Sequence, residues 1–589
     1  MTDLAESDLD DADQVPPPVR STTADAQVTT PPVPTPAQVP HMKWWGWGVD
    51  GVGFHWQDKP AFAAFVQKAV GLDLHTAQAL EQPSFDRITV PPSVAPQGLL
   101  RDLRDAVGED AVSLDDESRV VHTYGKSLRD LVRVRAGDLP RVPDVVVFPA
   151  DEAAVQAVVA AVIAADAVLI PFGGGSNIAG SLEPQPAETR PVVSVDLGRL
   201  RRVLDVDADS GLARIQAGAL GPDLESQLQE RGWTIGHFPD SFTHSSLGGW
   251  VATRSSGMQS DKYGDIADIA RGMRVVRPDG VLVIRGIPSA STGPSVREMV
   301  LGSEGRLGVI TEVTVQVHRI PAKRVIHAYF YPTWTAGLAA MQAIAASDAH
   351  PTVTRVSDAR ETGFSLATSK ESKGVQKLLT RGVMLYLKRR GWNLDDVCLS
   401  FVGYEGEADH VARQRKATER VIKRHGGFSL GTGPGVLYDQ KKFDTPYLRD
   451  FLLDRGTAGD VSETAAPWSR LNSVHDAVIA AAEGVFRDMD RTGWVMCHLS
   501  HSYHSGACLY FTFAFVFGDD PIGEYDRVKS AIQQAFIDNG GTLSHHHGVG
   551  LEHAPWLEQD ISGEGVAVMR GLFTAADPGA HFNPAKITR

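Results

Sequence analysis

Three consecutive glycines, Gly173 to Gly175, stand directly after an apolar run in the string AVLIPFGGGSN. Glycines at a strand end let the backbone take positive φ and turn bare amide N–H groups toward an anion. This pattern calls for a β-strand opening into a ligand-cradling loop, the entrance of an α/β unit. The loop is not of the Walker type, because no GK[ST] follows, and Ile178 stands where the third glycine of a Rossmann fingerprint belongs. Asp196, after the strand-like VVSVD, keeps a Rossmann ribose contact open, and a plain flexible turn is the bland alternative.

Two further loops of the same texture decide for a cofactor. The stretch 236–266 carries Asp240, Ser241, Phe242, Thr243, His244, Ser245 and Ser246, then Thr253, Arg254, Ser255 and Ser256, with more hydroxyls and glycines than one turn uses. The string GSEGRLGVIT adds Glu304, Gly305, Arg306, Leu307, Gly308, Val309 and Ile310. Together with Pro171, Phe172, Gly173, Gly174, Gly175, Ser176 and Asn177, these loops specify a long, polar ligand containing a pyrophosphate.

The chain of 589 residues exceeds one ordinary domain. Its net charge of −15 speaks against nucleic acid as a partner, since phosphate binding needs surplus Lys and Arg. Cys398, Cys497 and Cys508 lack CxxC spacing, so neither structural zinc nor a disulfide framework is indicated and a reducing compartment is expected. The most apolar stretch, from residue 153, is broken by Gln156 and Asp166 and reads as a helix and a strand, not as a membrane span. No signal peptide and no C-terminal SKL are visible, which makes the cytoplasm the expected location. Residues 1–40, acidic and then Pro/Thr-rich, read as a disordered arm. Trp44, Trp45 and Trp47 mark the start of packed structure, a helical pattern runs through 41–140, and strand-helix alternation begins at 141.

Near the C-terminus, SHHHGVG sets His545, His546 and His547 in a glycine-bounded loop. Acid-base chemistry, metal binding and a merely exposed loop all remain open from the residues alone. In the strict alternation of LYFTFAFVF, Phe511, Phe513, Phe515 and Phe517 share one face and Tyr510 lies on the other. Arg355 in VTRVSD shares a strand face with Val353, an odd place for a charge unless a partner waits there. Arg449 in PYLRD reads either as an anion ligand or as a helix-surface pair with Asp450 or Asp454.

PFGGGSN as a pyrophosphate loop and GSEGRLGVIT as its late marker resemble the flavin domain of the vanillyl-alcohol oxidase type. The resemblance implies an α+β chain: a two-lobe FAD-binding domain over 141–320, an α+β substrate cap over 321–560, and a segment 561–589 returning to the flavin side. KWWGWG, GHFPDS, GGWVATRSSGM, STGP, PYLRD, SETAAPW, SGACLYFTFAF and NGGTLSHHHGVG further resemble the alkyldihydroxyacetonephosphate synthases. That likeness implies a redox-neutral exchange of the acyl chain of acyl-dihydroxyacetone phosphate for a long-chain fatty alcohol, with FAD as a covalent trap and no metal. It places the proton-transferring tyrosine at Tyr510, a phosphate-binding arginine at Arg449, a functional arginine at Arg355, the essential histidine loop at His545, His546 and His547, and an active-site-region histidine at His237. Because no histidine lies in or just ahead of PFGGGSN, the flavin is expected to be non-covalent. His498, His501 and His504 resemble a second imidazole cluster, at the surface or behind the site. Fatty substrates imply peripheral membrane contact, and a homodimer is compatible. The alternative on the same scaffold is oxidation of a 2-hydroxy acid such as lactate or glycolate, which needs neither a phosphate site nor a lipid tunnel.

Overall fold

Two valine-rich strands, Val145–Val147 and Val192–Asp196, are buried along their whole length, the continuous apolar pattern of parallel strands covered on both faces. They form a parallel trio with Val168–Phe172, edged by the antiparallel Val112–Ser113. The helix Glu152–Ala164, whose Asp151 side chain accepts the N–H of Ala154, packs against this sheet beside Gln97–Val107. The structure is a computed structural model and describes residues 32–369, 375–441 and 445–588.

The second lobe is a five-stranded antiparallel sheet in the order Val203–Asp207, Leu212–Gln216, Val309–Gln316, Ala270–Arg277, Gly280–Ile284. The cap is a seven-stranded antiparallel sheet ordered Phe428–Gly431, Lys323–Tyr331, Cys398–Gly406, Val353–Ser357, Gly493–Ser502, Gly506–Val516, Thr457–Pro467. One face packs on the helices Trp334–Ala345, Ala408–Arg424, Leu471–Asp488 and Pro521–Asp538. Phe511, Phe513 and Phe515 lie in that core with no exposed surface, so the alternation read from the sequence sorts this strand correctly. On the opposite face, Ile326, Phe330 and Phe401 pack on the helices Val375–Arg389 and Gly433–Lys441, while Val461, His498 and Tyr510 turn toward the flavin lobes.

Three expected boundaries shift. Residues 1–31 of the expected arm lie outside the described residues, but the chain is already packed by Val39, which is buried with Ala111, Val146 and Phe148. The segment 41–140 forms only short helices, Phe62–Val70, Gln97–Val107, Asp116–Val121 and Leu128–Arg135, and makes no unit of its own. Phe62–Val70 joins the cap through Phe451 and Leu452, whereas Gln97–Val107 joins the first flavin sheet. The return to the flavin side begins before residue 561, since Leu543 and Leu557 already share a core with Leu224 and Trp250. At its end, Phe582 bridges Leu169 in parallel and extends the first sheet.

Phe511→Ala is expected to destabilise the protein by roughly 3–5 kcal/mol, through lost transfer energy and a cavity between sheet and helices. Urea denaturation followed by intrinsic fluorescence measures this as a lower midpoint at unchanged slope.

Candidate active site

A single cavity runs from the glycine loop to the polar face of the cap sheet. Pro171, Phe172, Gly173, Gly174, Gly175, Ser176 and Asn177 line one end. The glycines are needed there because two loops meet backbone to backbone. A Cβ on Gly174 would lie 1.7 Å from the carbonyl oxygen of His244, and one on Gly173 would lie 2.2 Å from Ser246 Oγ. Gly175 also has φ +68°, a left-handed conformation that disfavours side chains. Asp240, Ser241, Ser245, Ser246, Thr253, Ser255, Ser256, Glu304, Gly305, Gly308 and Ile310 continue the wall. A cradle of bare amides and hydroxyls beside Ile178, Leu182 and Leu197 fits a dinucleotide with a polar pyrophosphate and a flat apolar ring.

On the cap side, register builds the chemistry. Glu463, Tyr510 and His498 are direct cross-strand neighbours on three adjacent strands and form one row. The His498 ring stacks on Tyr510 at 5.0 Å, His546 lies nearly parallel at 5.9 Å, and His547 meets it edge-on at 5.7 Å. Burial drives the Tyr510 phenol well above its ordinary pKa, so at neutral pH it keeps its proton. Arg355 Nη2 donates to Glu361 Oε1 at 2.7 Å, and His498 Nδ1 holds the other oxygen at 2.8 Å. Arg355 therefore combines the buried ion pair with a place in the cavity wall. Arg449 Nη2 lies 2.9 Å from Asp460 Oδ1 and not on Asp450 or Asp454, but neither it nor Nε is aligned to donate a hydrogen bond. Two buried N–H groups thus await an acceptor at a wall where Arg355 and Arg449 are the guanidinium groups.

The histidine loop is held by two carboxylates. Glu463, buried on its strand, accepts the amides of His545 at 2.6 Å and of His546 and His547 at 3.1 Å, and the hydroxyl of Ser544 at 2.7 Å. Glu304 accepts the amides of Val549 and Gly550 and the hydroxyl of Ser181, joining the loop's far end to the pyrophosphate side. Burial penalises the Glu463 carboxylate, yet with three loop amides and the Ser544 hydroxyl donating to it the group is held well below the ordinary range. Burial likewise lowers His547 to about 4 and pushes His546 well down, so both are neutral bases at pH 7.

Several sequence-chosen residues stand elsewhere. His545 is outside the lining and points its Nε2 at the Tyr503 hydroxyl, 2.5 Å away. His237 is fully buried behind the wall, 2.8 Å from Ser255 Oγ, with its imidazole lowered to about 3 by burial. Phe242 stacks on Trp250, Leu307 and Val309 are core residues, and His244 Nε2 reaches Tyr447 at 3.2 Å. Arg254 pairs with Glu298 at the surface, Arg306 lies over Phe573, and Thr243 stands off the wall. Asp196 is no ribose ligand: its carboxylate is held by His41, His122 and the Gly198 amide, which closes the Rossmann reading. His498 and His501, placed at the surface or behind the site, are buried and line the cavity, whereas His504 is exposed. A β-bulge between Leu499 and His501 brings both Ser500 and His501 to the cavity, which strict alternation hides. Trp47, Tyr438 and Asn583, from three distant parts of the chain, were not legible as lining residues.

Glycine cradle, apolar ring slot and cap sheet define a flavoprotein of the FAD-linked oxidase class. The "FAD binding domain" family matches residues 143–285, and "FAD linked oxidases, C-terminal domain" matches 320–587. The chain is 39% identical over 499 residues to the alkyldihydroxyacetonephosphate synthase of Dictyostelium discoideum, covering 84% of this chain and 81% of that protein. It is 36% identical to the enzyme of the same name from Trypanosoma brucei brucei, covering 85% and 82% of the two chains. A solved alkyldihydroxyacetonephosphate synthase superposes with a TM-score of 0.82 at 34% identity, covering 93% of this chain and 99% of the other. The chain belongs to the alkyldihydroxyacetonephosphate synthase family, and its cofactor is FAD.

Gly174→Ala is expected to force the two loops apart and to yield protein that loses flavin on gel filtration, read as a falling ratio of flavin to protein absorbance. Glu463→Gln tests the loop anchor. A carboxyl whose folded pKa is depressed stabilises the fold fully above its unfolded value of about 4.3 and ceases to do so as pH falls through the folded value. The variant should lose roughly 1–3 kcal/mol at pH 7 and show a flatter acid limb, read from urea midpoints between pH 7 and pH 3.

Proposed function

We propose that this protein exchanges the acyl chain of acyl-dihydroxyacetone phosphate for a long-chain fatty alcohol, giving alkyl-dihydroxyacetone phosphate and a fatty acid. The single observation that carries the reading is Arg449, with its unfilled buried donors, in the same cavity as Tyr510 and the neutral imidazoles. A phosphate satisfies the guanidinium, and the carbon to be deprotonated then lies within reach of Tyr510 and His546. The 2-hydroxy-acid alternative gives way, because a small hydroxy acid offers no phosphate and the family relatives are synthases.

FAD, when bound, would supply the reactive ring system; Gly173, Gly174, Gly175, Ser245 and Ser246 would hold its pyrophosphate side, without a covalent link, since no histidine stands in or just ahead of the glycine loop. The protein orients the substrate through Arg449 and Arg355. Tyr510, kept protonated by burial, donates or relays a proton, and the neutral imidazoles of His546 and His547 accept one. The fatty chains reach the cavity past the cap. Leu385, Tyr386, Val436 and Leu437 are exposed on two neighbouring helices that share a core, with Lys388 and Arg389 ending the first and Tyr438 of the second lining the cavity. This apolar patch with a basic fringe is the proposed membrane contact of a protein acting at the cytoplasmic surface.

Mixing the protein with palmitoyl-dihydroxyacetone phosphate and hexadecanol should release palmitate and form the ether product. Arg449→Ala should raise KM for the phosphorylated substrate about 10- to 100-fold, and Tyr510→Phe should depress kcat about 100-fold or more at unchanged flavin content. Lactate-driven flavin bleaching with pyruvate formation would overturn the assignment. Acid precipitation should leave all flavin in the supernatant.

A further inference from the structure

Behind the cavity wall runs a chain of polar groups that the exchange chemistry above does not use. Tyr503 sits in the turn joining Gly493–Ser502 to Gly506–Val516, its amide bonded to the Gly506 carbonyl. Its hydroxyl donates to Asp265 Oδ2 at 2.7 Å and lies 2.5 Å from His545 Nε2. His545 Nδ1 is 2.8 Å from His546 Nδ1, and His546 lines the cavity. Asp265 is partly exposed, and its other oxygen accepts from the hydroxyl of Ser256.

Donor and acceptor counting gives this chain a consistent direction. A carboxylate only accepts, so the Tyr503 hydroxyl proton points to Asp265. The Tyr503 oxygen then accepts, and His545 carries its proton on Nε2. With its proton on Nε2, His545 presents Nδ1 as the acceptor for the Nδ1–H of His546. His546 is left in the tautomer whose Nε2 is bare. Burial would raise the Asp265 carboxyl, but with the hydroxyls of Ser256 and Tyr503 donating to it the group is held below its ordinary value, so the chain ends in an ionised acceptor. His501 stands outside the chain, with its nitrogens on the Gly257 carbonyl and Ser500 Oγ.

We propose that Asp265, Tyr503 and His545 are positioning residues that set His546 as the base of the cavity and carry the surplus proton of each turnover out to solvent. The inference rests on the acyl-for-alkyl reading. In that exchange the ester C–O bond breaks with departure of the fatty acid as carboxylate, and an ether C–O bond forms to the alcohol oxygen. No electrons are gained or lost, and the alcohol's proton is left over in an apolar site. His546 Nε2 takes it and passes its Nδ1 proton to His545 Nδ1. The Nε2 proton of His545 moves to the Tyr503 oxygen, whose own proton moves to Asp265 and thence to water. Tyr503 thereby gives one proton to Asp265 and receives one from His545, and ends the transfer as a phenol.

Tyr503→Phe removes one oxygen and keeps the ring. On the holoenzyme, kcat is expected to fall about 10- to 100-fold with KM for palmitoyl-dihydroxyacetone phosphate, flavin spectrum and melting temperature unchanged. Asp265→Asn should do the same, and the double variant should be no slower than Tyr503→Phe alone, because both cut one path. A second readout needs no turnover. In protein labelled with 15N-histidine, two-bond 1H–15N correlations should show His546 (its signal identified by loss in His546→Gln) wholly as the Nδ1–H tautomer. Asp265→Asn should mix the tautomers. Retention of kcat within about twofold in Tyr503→Phe, multiplicative losses in the double variant, or an Nε2–H His546 in the unaltered protein would each overturn the relay. If the unaltered protein forms no ether product, the acyl-for-alkyl reading falls, while the tautomer of His546 still decides for or against the relay.

Discussion

The buried carboxylate of Glu463 is the interaction on which the site depends. Three successive backbone amides of a histidine loop have no partner in any sheet or helix, and an unpaired buried amide is costly. One carboxylate satisfies all three and adds the Ser544 hydroxyl. Because Glu463 is itself a rung of the cap sheet, directly opposite Tyr510 on the neighbouring strand, the loop is referenced to the same sheet as the tyrosine it faces. The spacing of His546 and His547 from the phenol is therefore set by sheet register and not by loop flexibility. Electrostatics works in the same direction, since the carboxylate compensates the polar loop while burial keeps the imidazoles neutral.

Strong local patterns were legible in the sequence and long-range geometry was not. The glycine run after an apolar strand announced the cofactor cradle, and the phenylalanine alternation correctly put Tyr510 on the opposite face. Family motifs supplied Arg449 and Arg355. Sequence could not reveal that Asp460, not the neighbouring Asp450 or Asp454, faces Arg449, because that contact joins a helix to a distant strand. Nor could it place His498 and His501, since one depends on cross-strand register and the other on a bulge. Within the cofactor loops, runs of contiguous residues overreached. Phe242, Leu307 and Val309 hold the loops to the core, and Thr243, His244, Arg254 and Arg306 stand off the wall, while Ser241, Ser245, Ser255, Gly305 and Gly308 among their neighbours line the cavity.

Glu304 shows how one side chain joins the two halves of the site. Its residue carries a positive φ of 50°, an uncommon conformation for a non-glycine residue. The carboxylate reaches the amides of Val549 and Gly550 while also holding Ser181, so cradle and histidine loop are registered to each other through a common anion. Movement of the cap relative to the flavin lobes would have to break this contact, which favours a preformed site over an assembling one.

Residues 582–586 complete the cofactor cradle. Phe582 extends the first sheet, Asn583 lines the cavity and donates to the carbonyls of Ser181 and Glu304, and Lys586 reaches the carbonyl of Glu183. The glycines of the cradle stand about 400 residues earlier in the sequence, so its wall is closed only by contacts of very long range along the chain. Loss of residues 582–586 would thus leave Tyr510, Arg449 and the histidine loop all present and the cofactor without a settled place.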